Sequence, residues 1–93
     1  MEYKIRWLHQ AIEDLKRIRE LLETLSPNAA FKYTNEVYDS VGSLTKMPKR
    51  FPIYNKTIAL RRMVVGDYSV FYRINEGTGE LKVLTSIHTE HKI

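Results

Sequence analysis

The sequence contains no cysteine, and this absence removes several kinds of chemistry at once. Disulfide bonds, thiolate nucleophiles and thiolate zinc sites all need cysteine, so packing alone must hold the fold together. No apolar run approaches the roughly eighteen residues that a membrane-spanning helix needs. The first residues also lack the apolar core and the small-residue cleavage site of a signal peptide. We therefore predict a cytoplasmic protein with no membrane partner.

Acidic residues are missing from one long stretch, since no Asp or Glu lies between Asp39 and Asp67. Basic residues are frequent in and just after it, namely Lys46, Lys49, Arg50, Lys56, Arg61, Arg62 and Arg73. The net charge of +4 is by itself ordinary for a small soluble domain. The clustering favours an acidic partner, such as nucleic acid or an acidic polypeptide. A chain of 93 residues can build one core, so a single domain over residues 1–93 is expected.

The N-terminal half predicts a strand followed by two helices. Tyr3, Ile5 and Trp7 alternate with basic residues, as in a half-buried strand. Apolar residues then recur at spacings of three and four, which is typical of amphipathic helices. The expected buried stripes are Ile12, Leu15, Ile18, Leu22 and Leu25 in the first helix, then Ala30, Thr34, Val37, Val41 and Leu44, widened by Phe31 and Tyr38, in the second. Ser26-Pro27 fits an N-cap and a first helical residue, which predicts an antiparallel helix pair.

Residues 60–74 predict a tight β-hairpin. Two runs rich in β-branched and aromatic residues flank Gly66-Asp67, and glycine at the first loop position suits a type II′ turn. Residues 52–57 are expected to form an ordered connection into this hairpin, and residues 81–87 a final strand. The predicted order is β-α-α-β-β-β, an α+β fold. Its N-terminal antiparallel helix hairpin would pack on a mainly antiparallel four-stranded sheet and leave the other face of the sheet partly open.

Candidate chemistry is sparse. No phosphate-binding loop, metal-ligand cluster or nucleophile–base pattern is present, so neither a metal nor a cofactor is expected. His88 and His91 have His-x-x-His spacing but no evident third ligand. Arg62 and Arg73 would project from neighbouring strands, where guanidinium groups suit phosphate or carboxylate. The alternative is that both are edge charges that prevent strand aggregation.

Residues 65–73, Val-Gly-Asp-Tyr-Ser-Val-Phe-Tyr-Arg, resemble the hairpin of the RelE/ParE superfamily of bacterial toxins. Similar residues recur in order along nearly the whole chain: Ala11, Asp14-Leu15, Ser26-Pro27, Ala29, Ala30, Leu44, Pro48, Phe51-Pro52 and Ile87-His88. The resemblance implies a single RelE/ParE-like toxin domain from a type II toxin–antitoxin module. It also implies a cognate antitoxin that holds the toxin inactive, with operator DNA contacted only through that antitoxin.

The superfamily divides by mechanism. RelE-like toxins enter the ribosomal A site and cut mRNA, which requires a base, an acid and cations, whereas ParE-like toxins poison DNA gyrase. In this chain Ser69 stands where the RelE type has arginine, and no tyrosine follows Tyr72. The resemblance is therefore closer to the ParE or plasmid-stabilisation side and implies gyrase poisoning. One alternative is a ribosome-dependent mRNA endoribonuclease in which Arg62 and His88 are catalytic; another is a small non-toxic binding domain.

A broader set of residues is expected to contact either the target or the antitoxin. It combines the cations of the loop and hairpin with one aromatic residue and the two C-terminal histidines: Lys49, Arg50, Lys56, Arg61, Arg62, Phe71, Arg73, His88 and His91.

Overall fold

The computed structural model describes residues 2–88. Its elements are β1 (Lys4–Trp7), α1 (His9–Leu25), α2 (Pro27–Gly42), a short 3-10 turn (Ser43–Thr45), β2 (Ile53–Asn55), β3 (Leu60–Val65), β4 (Tyr68–Asn75) and β5 (Glu80–His88). The strands form one sheet in the order β1-β5-β4-β3-β2. The predicted α+β fold, with a helix pair against a sheet, is confirmed. The sheet has five strands and not four, and β1 pairs with β5 in parallel while the other pairs are antiparallel.

The additional strand, β2, lies in the segment that was expected to be only a connection. Ile53 pairs with Arg61, and Asn55 pairs with Leu60. The Asn55 side chain then accepts a hydrogen bond from the Thr57 backbone N–H at 3.0 Å, which closes the turn into β3. The hairpin's first strand starts at Leu60. So short a strand has too few residues to show alternation, which is why the pattern missed it.

The joint between the helices is confirmed as a cap. The Ser26 side chain accepts a hydrogen bond from the backbone N–H of Ala29 at 3.3 Å, and Pro27 is the first residue of α2. This cap satisfies one N–H group that the helix itself cannot pair. Within the described part of the chain, neither helix has the length and apolar character to cross a membrane.

The helices bury most of the predicted stripes, namely Leu15 and Ile18 in α1 and Ala30, Val37, Val41 and Leu44 in or just after α2, but the edges of the stripes differ. In α1 the buried residues are Ala11, Asp14, Leu15 and Ile18, whereas the expected Ile12 and Leu25 are exposed by 48% and 77%. In α2 the buried residues are Ala30, Tyr33, Val37 and Val41. Phe31 and Tyr38, expected to widen the stripe, are exposed by 70% and 52%. Large apolar residues thus stay on the outer surface of the helix pair.

The hairpin confirms its predicted turn and its predicted inner face. Gly66 has a φ of +60° and Asp67 is not among the residues of positive φ, which fits a type II′ turn. Val70 and Tyr72 are fully buried in the core, and Tyr68 and Ile74 pack against it. The helix-facing side of the sheet is therefore closed, and the opposite side is left for contacts with other molecules.

Candidate binding surface on the sheet

The face of the sheet that points away from α1 and α2, here called the open face, carries most of the candidate residues of the hairpin. Arg62 lies opposite Phe71, and Val64 lies opposite Ser69. The residues that alternate with these four belong to the core, so the four side chains point to the open face. Ile87 of β5 extends the row, since it pairs with Ser69 and is half exposed.

Arg62 is held on the open face by two neighbours. Its Nε donates a hydrogen bond to Oγ of Ser69 at 2.9 Å, and its guanidinium carbon lies 5.6 Å from the centre of the Tyr54 ring. The Tyr54 ring packs edge-on against Phe71, with ring centres 5.1 Å apart. Tyr54 therefore covers Phe71, which is 7% exposed although it lies outside the main core. The Arg62 side chain itself stays partly exposed, within reach of a ligand.

A shallow apolar cavity of about 360 Å³ lies beside this cluster. It is lined by Phe51, Pro52, Ile53, Tyr54, Arg62 and Val64. Tyr54 and Val64 are each more than half exposed, so the apolar surface is open to a partner. Apolar surface next to a guanidinium group suits a polypeptide that presents an apolar side chain close to a carboxylate. We call Tyr54, Val64, Phe71 and Ile87 the apolar end of the open face.

Arg61 contacts the protein's own loop between the 3-10 turn and β2. Its Nη1 donates to the backbone oxygen of Phe51 at 2.6 Å and, at 3.4 Å, to that of Lys49. The Tyr72 hydroxyl donates to the backbone oxygen of Pro48 at 2.8 Å. Together these bonds fix the loop against the sheet. A role for Arg61 in binding a partner stays a prediction.

The other predicted loop cations have separate neighbours. Lys49 forms an exposed ion pair with Glu76, with Nζ and Oε2 2.6 Å apart, and its hydrogen bond lowers the pKa of Glu76. Arg50 lies over the Phe51 ring, 5.3 Å from its centre. Lys56 is exposed in the turn between β2 and β3. Exposed pairs of this kind add little to stability, so these cations remain available for binding.

Arg73 belongs to a group that sequence reasoning did not find. It pairs with Lys82 of β5, and Lys82 pairs with Arg6 of β1. Arg73 and Lys82 both line a second open cavity, of about 420 Å³. We call Arg6, Lys82 and Arg73 the basic row. No local pattern reveals it, because its members are distant in the chain and meet only through the register of the sheet.

Asp14 is a second residue whose role sequence reasoning missed. Its carboxylate accepts hydrogen bonds from the Thr85 hydroxyl, from the Ser86 backbone N–H at 3.2 Å and from Gln10 Nε2 at 2.8 Å, and Arg17 Nη1 lies 3.2 Å away. Burial raises the pKa of this carboxyl, but the hydrogen bonds and the Arg17 charge outweigh burial and leave the pKa below its ordinary value. Asp14 therefore ties α1 to β5. A carboxylate on the core-facing stripe of the helix was the available signal.

The two predicted histidines lie at or beyond the edge of the described structure. His88 is the last residue of β5, with Tyr68 as its backbone partner. His91 lies outside the described residues. Among residues 2–88, no group of three or more His, Asp and Glu side chains is placed to hold a metal ion.

Comparison with solved structures places the fold among toxin–antitoxin proteins. A chain of the chromosomal ParDE toxin–antitoxin system from P. aeruginosa superposes with a TM-score of 0.82 at 18% identity, covering 96% of this chain and 98% of that chain. Chains from the RelBE2 complex of Mycobacterium tuberculosis and the archaeal RelE–RelB complex of Pyrococcus horikoshii OT3 each give a TM-score of 0.63 at 21% identity. They cover 95% and 99% of this chain, and 99% and 100% of their own.

At such low identity these likenesses concern the fold. No curated protein matches the chain significantly in sequence. A family model does match it, namely that of the ParE toxin of the type II toxin–antitoxin system parDE, over residues 5–92. That span includes both helices, the hairpin, the apolar end and the basic row. The chain therefore belongs to the ParE toxin family of type II toxin–antitoxin systems.

Proposed function

We propose that this chain inhibits growth by binding and poisoning DNA gyrase in the cytoplasm when it is free of its antitoxin. Membership of the ParE toxin family supports the toxin class. The observation that carries the mechanism is the environment of Arg62. Its Nε is engaged by Ser69 and its guanidinium lies over Tyr54, so the centre of the open face is built as a packed binding surface.

Cleavage of mRNA would require a different set of side chains on the same face. Attack by the RNA 2′-hydroxyl needs a base, an acid and cations turned towards the phosphate. The position after Tyr68, an arginine in RelE-type toxins, is Ser69, which is 2% exposed and bonded to Arg62. Within residues 2–88, no carboxylate forms an ion pair with Arg62. The endoribonuclease alternative depends on Arg62 and His88, and these are fewer side chains than the base, acid and cations that cleavage requires.

Two parallel assays separate these mechanisms. With supercoiled DNA and gyrase, the purified chain is expected to increase the number of gyrase-linked double-strand breaks, and omission of gyrase should abolish them. With translating ribosomes, mapped mRNA 5′ ends should be unchanged. Cleavage at A-site codons would replace the gyrase proposal with the RNase alternative. If induced expression of this chain alone leaves growth unaffected, the chain is a non-toxic binding domain.

The open face also supports a proposal for the cognate antitoxin. Its apolar end offers a cavity beside Arg62, and Arg73 stands on the neighbouring strand with exposed charge. An acidic segment with apolar side chains would satisfy both features. We propose that the antitoxin docks here and along the adjacent edge of the helix pair, so that its carboxylates meet Arg62 and Arg73. Binding of the antitoxin would then compete with binding of the target for the same residues of the toxin.

Arg62→Ala tests that docking site. Loss of one partner of a desolvated charge pair costs about 2 to 5 kcal/mol, and about 1.4 kcal/mol corresponds to a factor of ten. We therefore expect the antitoxin to dissociate more than tenfold faster from this variant, as measured by surface plasmon resonance. Arg19→Ala, an exposed change on α1, is the matched control and should leave the rate unchanged. A change confined to the association rate and removed by high salt would place Arg62 at the rim of the interface.

A further inference from the structure

The basic row sets three like charges side by side on the open face. Lys82 is the direct register partner of both Arg6 and Arg73, so the row crosses β1, β5 and β4. Arg6 points away from the helices because its neighbours Ile5 and Trp7 pack against the core. Arg73 and Lys82 are register partners and alternate with core residues such as Tyr72 and Leu81, so both point to the open face.

Within residues 2–88, none of the three cations forms an ion pair. One acid, Glu76, lines the same cavity as Arg73 and Lys82, but its carboxylate contacts Nζ of Lys49 at 2.6 Å. Like charges directly opposite each other on neighbouring strands repel and destabilise the sheet. The row therefore carries an electrostatic cost that the described part of the chain does not offset, whereas an anion bound across it would.

Protection of a sheet edge explains only part of the row. Charged side chains on an edge strand discourage pairing with another chain, and Arg6 stands on the edge strand β1. Lys82 and Arg73 stand on β5 and β4, which have neighbours on both sides. Their charges protect no edge, so a bound anion is the better explanation for the whole row.

The charge density of the ligand distinguishes between two kinds of anion. Neighbouring strands lie about 4.8 Å apart, so the row spans about 10 Å. Duplex DNA carries about one negative charge per 1.7 Å of helix axis when both strands are counted, hence about six over that length. An extended peptide turns a side chain to one face only about every 6.8 Å, which places at most about two carboxylates on the row. The higher charge density of duplex DNA thus favours a nucleic-acid backbone.

We propose that Arg6, Lys82 and Arg73 form a binding site for the phosphate backbone of duplex DNA. The proposal rests on the proposed gyrase target, because it supplies a contact to the DNA that gyrase holds. Backbone phosphates carry no base sequence directly, so the row would bind duplexes of any sequence. It therefore leaves specific recognition of operator DNA to the antitoxin.

The test uses the full chain alone and a short random-sequence duplex labelled for fluorescence anisotropy. Three phosphate contacts give a slope of about −2.7 for log K against log salt. Affinity should therefore fall about 40-fold between about 50 and about 200 mM salt. Lys82→Gln and Arg6→Gln should each reduce the slope by about 0.9, leaving a fall of about 12-fold over the same range. Lys16→Gln, an exposed change on α1, is the matched control and should keep the full slope.

Two results would overturn the site. One is an unchanged slope in both row variants while circular dichroism shows them folded. The other is competition by poly-glutamate as effective as that by DNA of equal charge, which would identify a carboxylate site. The DNA-binding test contains no gyrase, so a negative result in it would not decide the outcome of the gyrase-break assay. Conversely, retained DNA binding without gyrase-linked breaks would reject the gyrase proposal alone.

Discussion

Replacement of Tyr72 by alanine is expected to lower the free energy of unfolding by about 4 kcal/mol. Tyr72 is fully buried at the centre of the core, so its removal loses apolar burial and leaves a cavity. Its hydroxyl also donates to the backbone oxygen of Pro48, a bond that fixes the loop before β2. Urea unfolding followed by circular dichroism measures the change.

Tyr72→Phe separates the two contributions. This variant keeps the ring and removes only the hydrogen bond, for an expected loss of about 1 kcal/mol. Cavity formation then accounts for the remaining loss in the alanine variant. Equal losses in the two variants would show that loop attachment, and not packing of the ring, is what Tyr72 contributes.

The second large effect is expected for Asp14→Ala, which should cost about 3 kcal/mol. The change leaves the buried backbone N–H of Ser86 and the hydroxyl of Thr85 without their acceptor. Each buried donor left unpaired costs about 1 to 3 kcal/mol. It also removes the direct tie between α1 and β5. Glu13→Ala, on the exposed side of the same helix, is the matched control and should change stability little.

The same carboxyl should make stability depend on pH in the acid range. Because the pKa of Asp14 is lower in the folded protein than in the unfolded chain, its contribution is complete above the unfolded value of about 3.9. That contribution is lost as pH falls through the folded pKa. Asp14→Asn cannot titrate, so its stability should fall less steeply below about pH 4 in acid-range urea titrations. Parallel curves for the two proteins would contradict this assignment.

Local patterns predicted the hairpin well because its turn and its strand faces are determined by residues close together in the sequence. Alternation placed Tyr72 and its neighbours in the core, and Gly66 supplied the positive φ that the turn requires. The helix faces were assigned less well. Counting only apolar residues correctly selected Leu15 and Ile18, but it also selected Ile12 and Leu25 and missed Ala11 and Asp14. Hydrophobicity alone cannot show that a carboxylate will find donors on another strand.

The candidate site also contains some residues that local patterns could assign and others that they could not. Arg62 and Arg73 could be assigned to the open face because each sits in a strand whose alternation is clear. The basic row could not be predicted, because Arg6 and Lys82 meet only if β1 pairs with β5. The sequence of one strand does not indicate which other strand it pairs with. The cover that Tyr54 provides for Phe71 was missed for a related reason, because β2 is too short to be recognised.

The parallel pairing of β1 with β5 also means that the fold is incomplete until the C-terminal strand is present. During synthesis β1 and α1 emerge first, yet β5 supplies both the partner strand of β1 and the donors to Asp14. An unfinished chain that stops before Glu80 holds the helix pair and the hairpin without the strand that joins them. Such long-range pairing must close a loop that includes most of the chain before it stabilises anything. A product terminated before Glu80 therefore lacks both the partner strand of β1 and the donors to Asp14 that complete this fold.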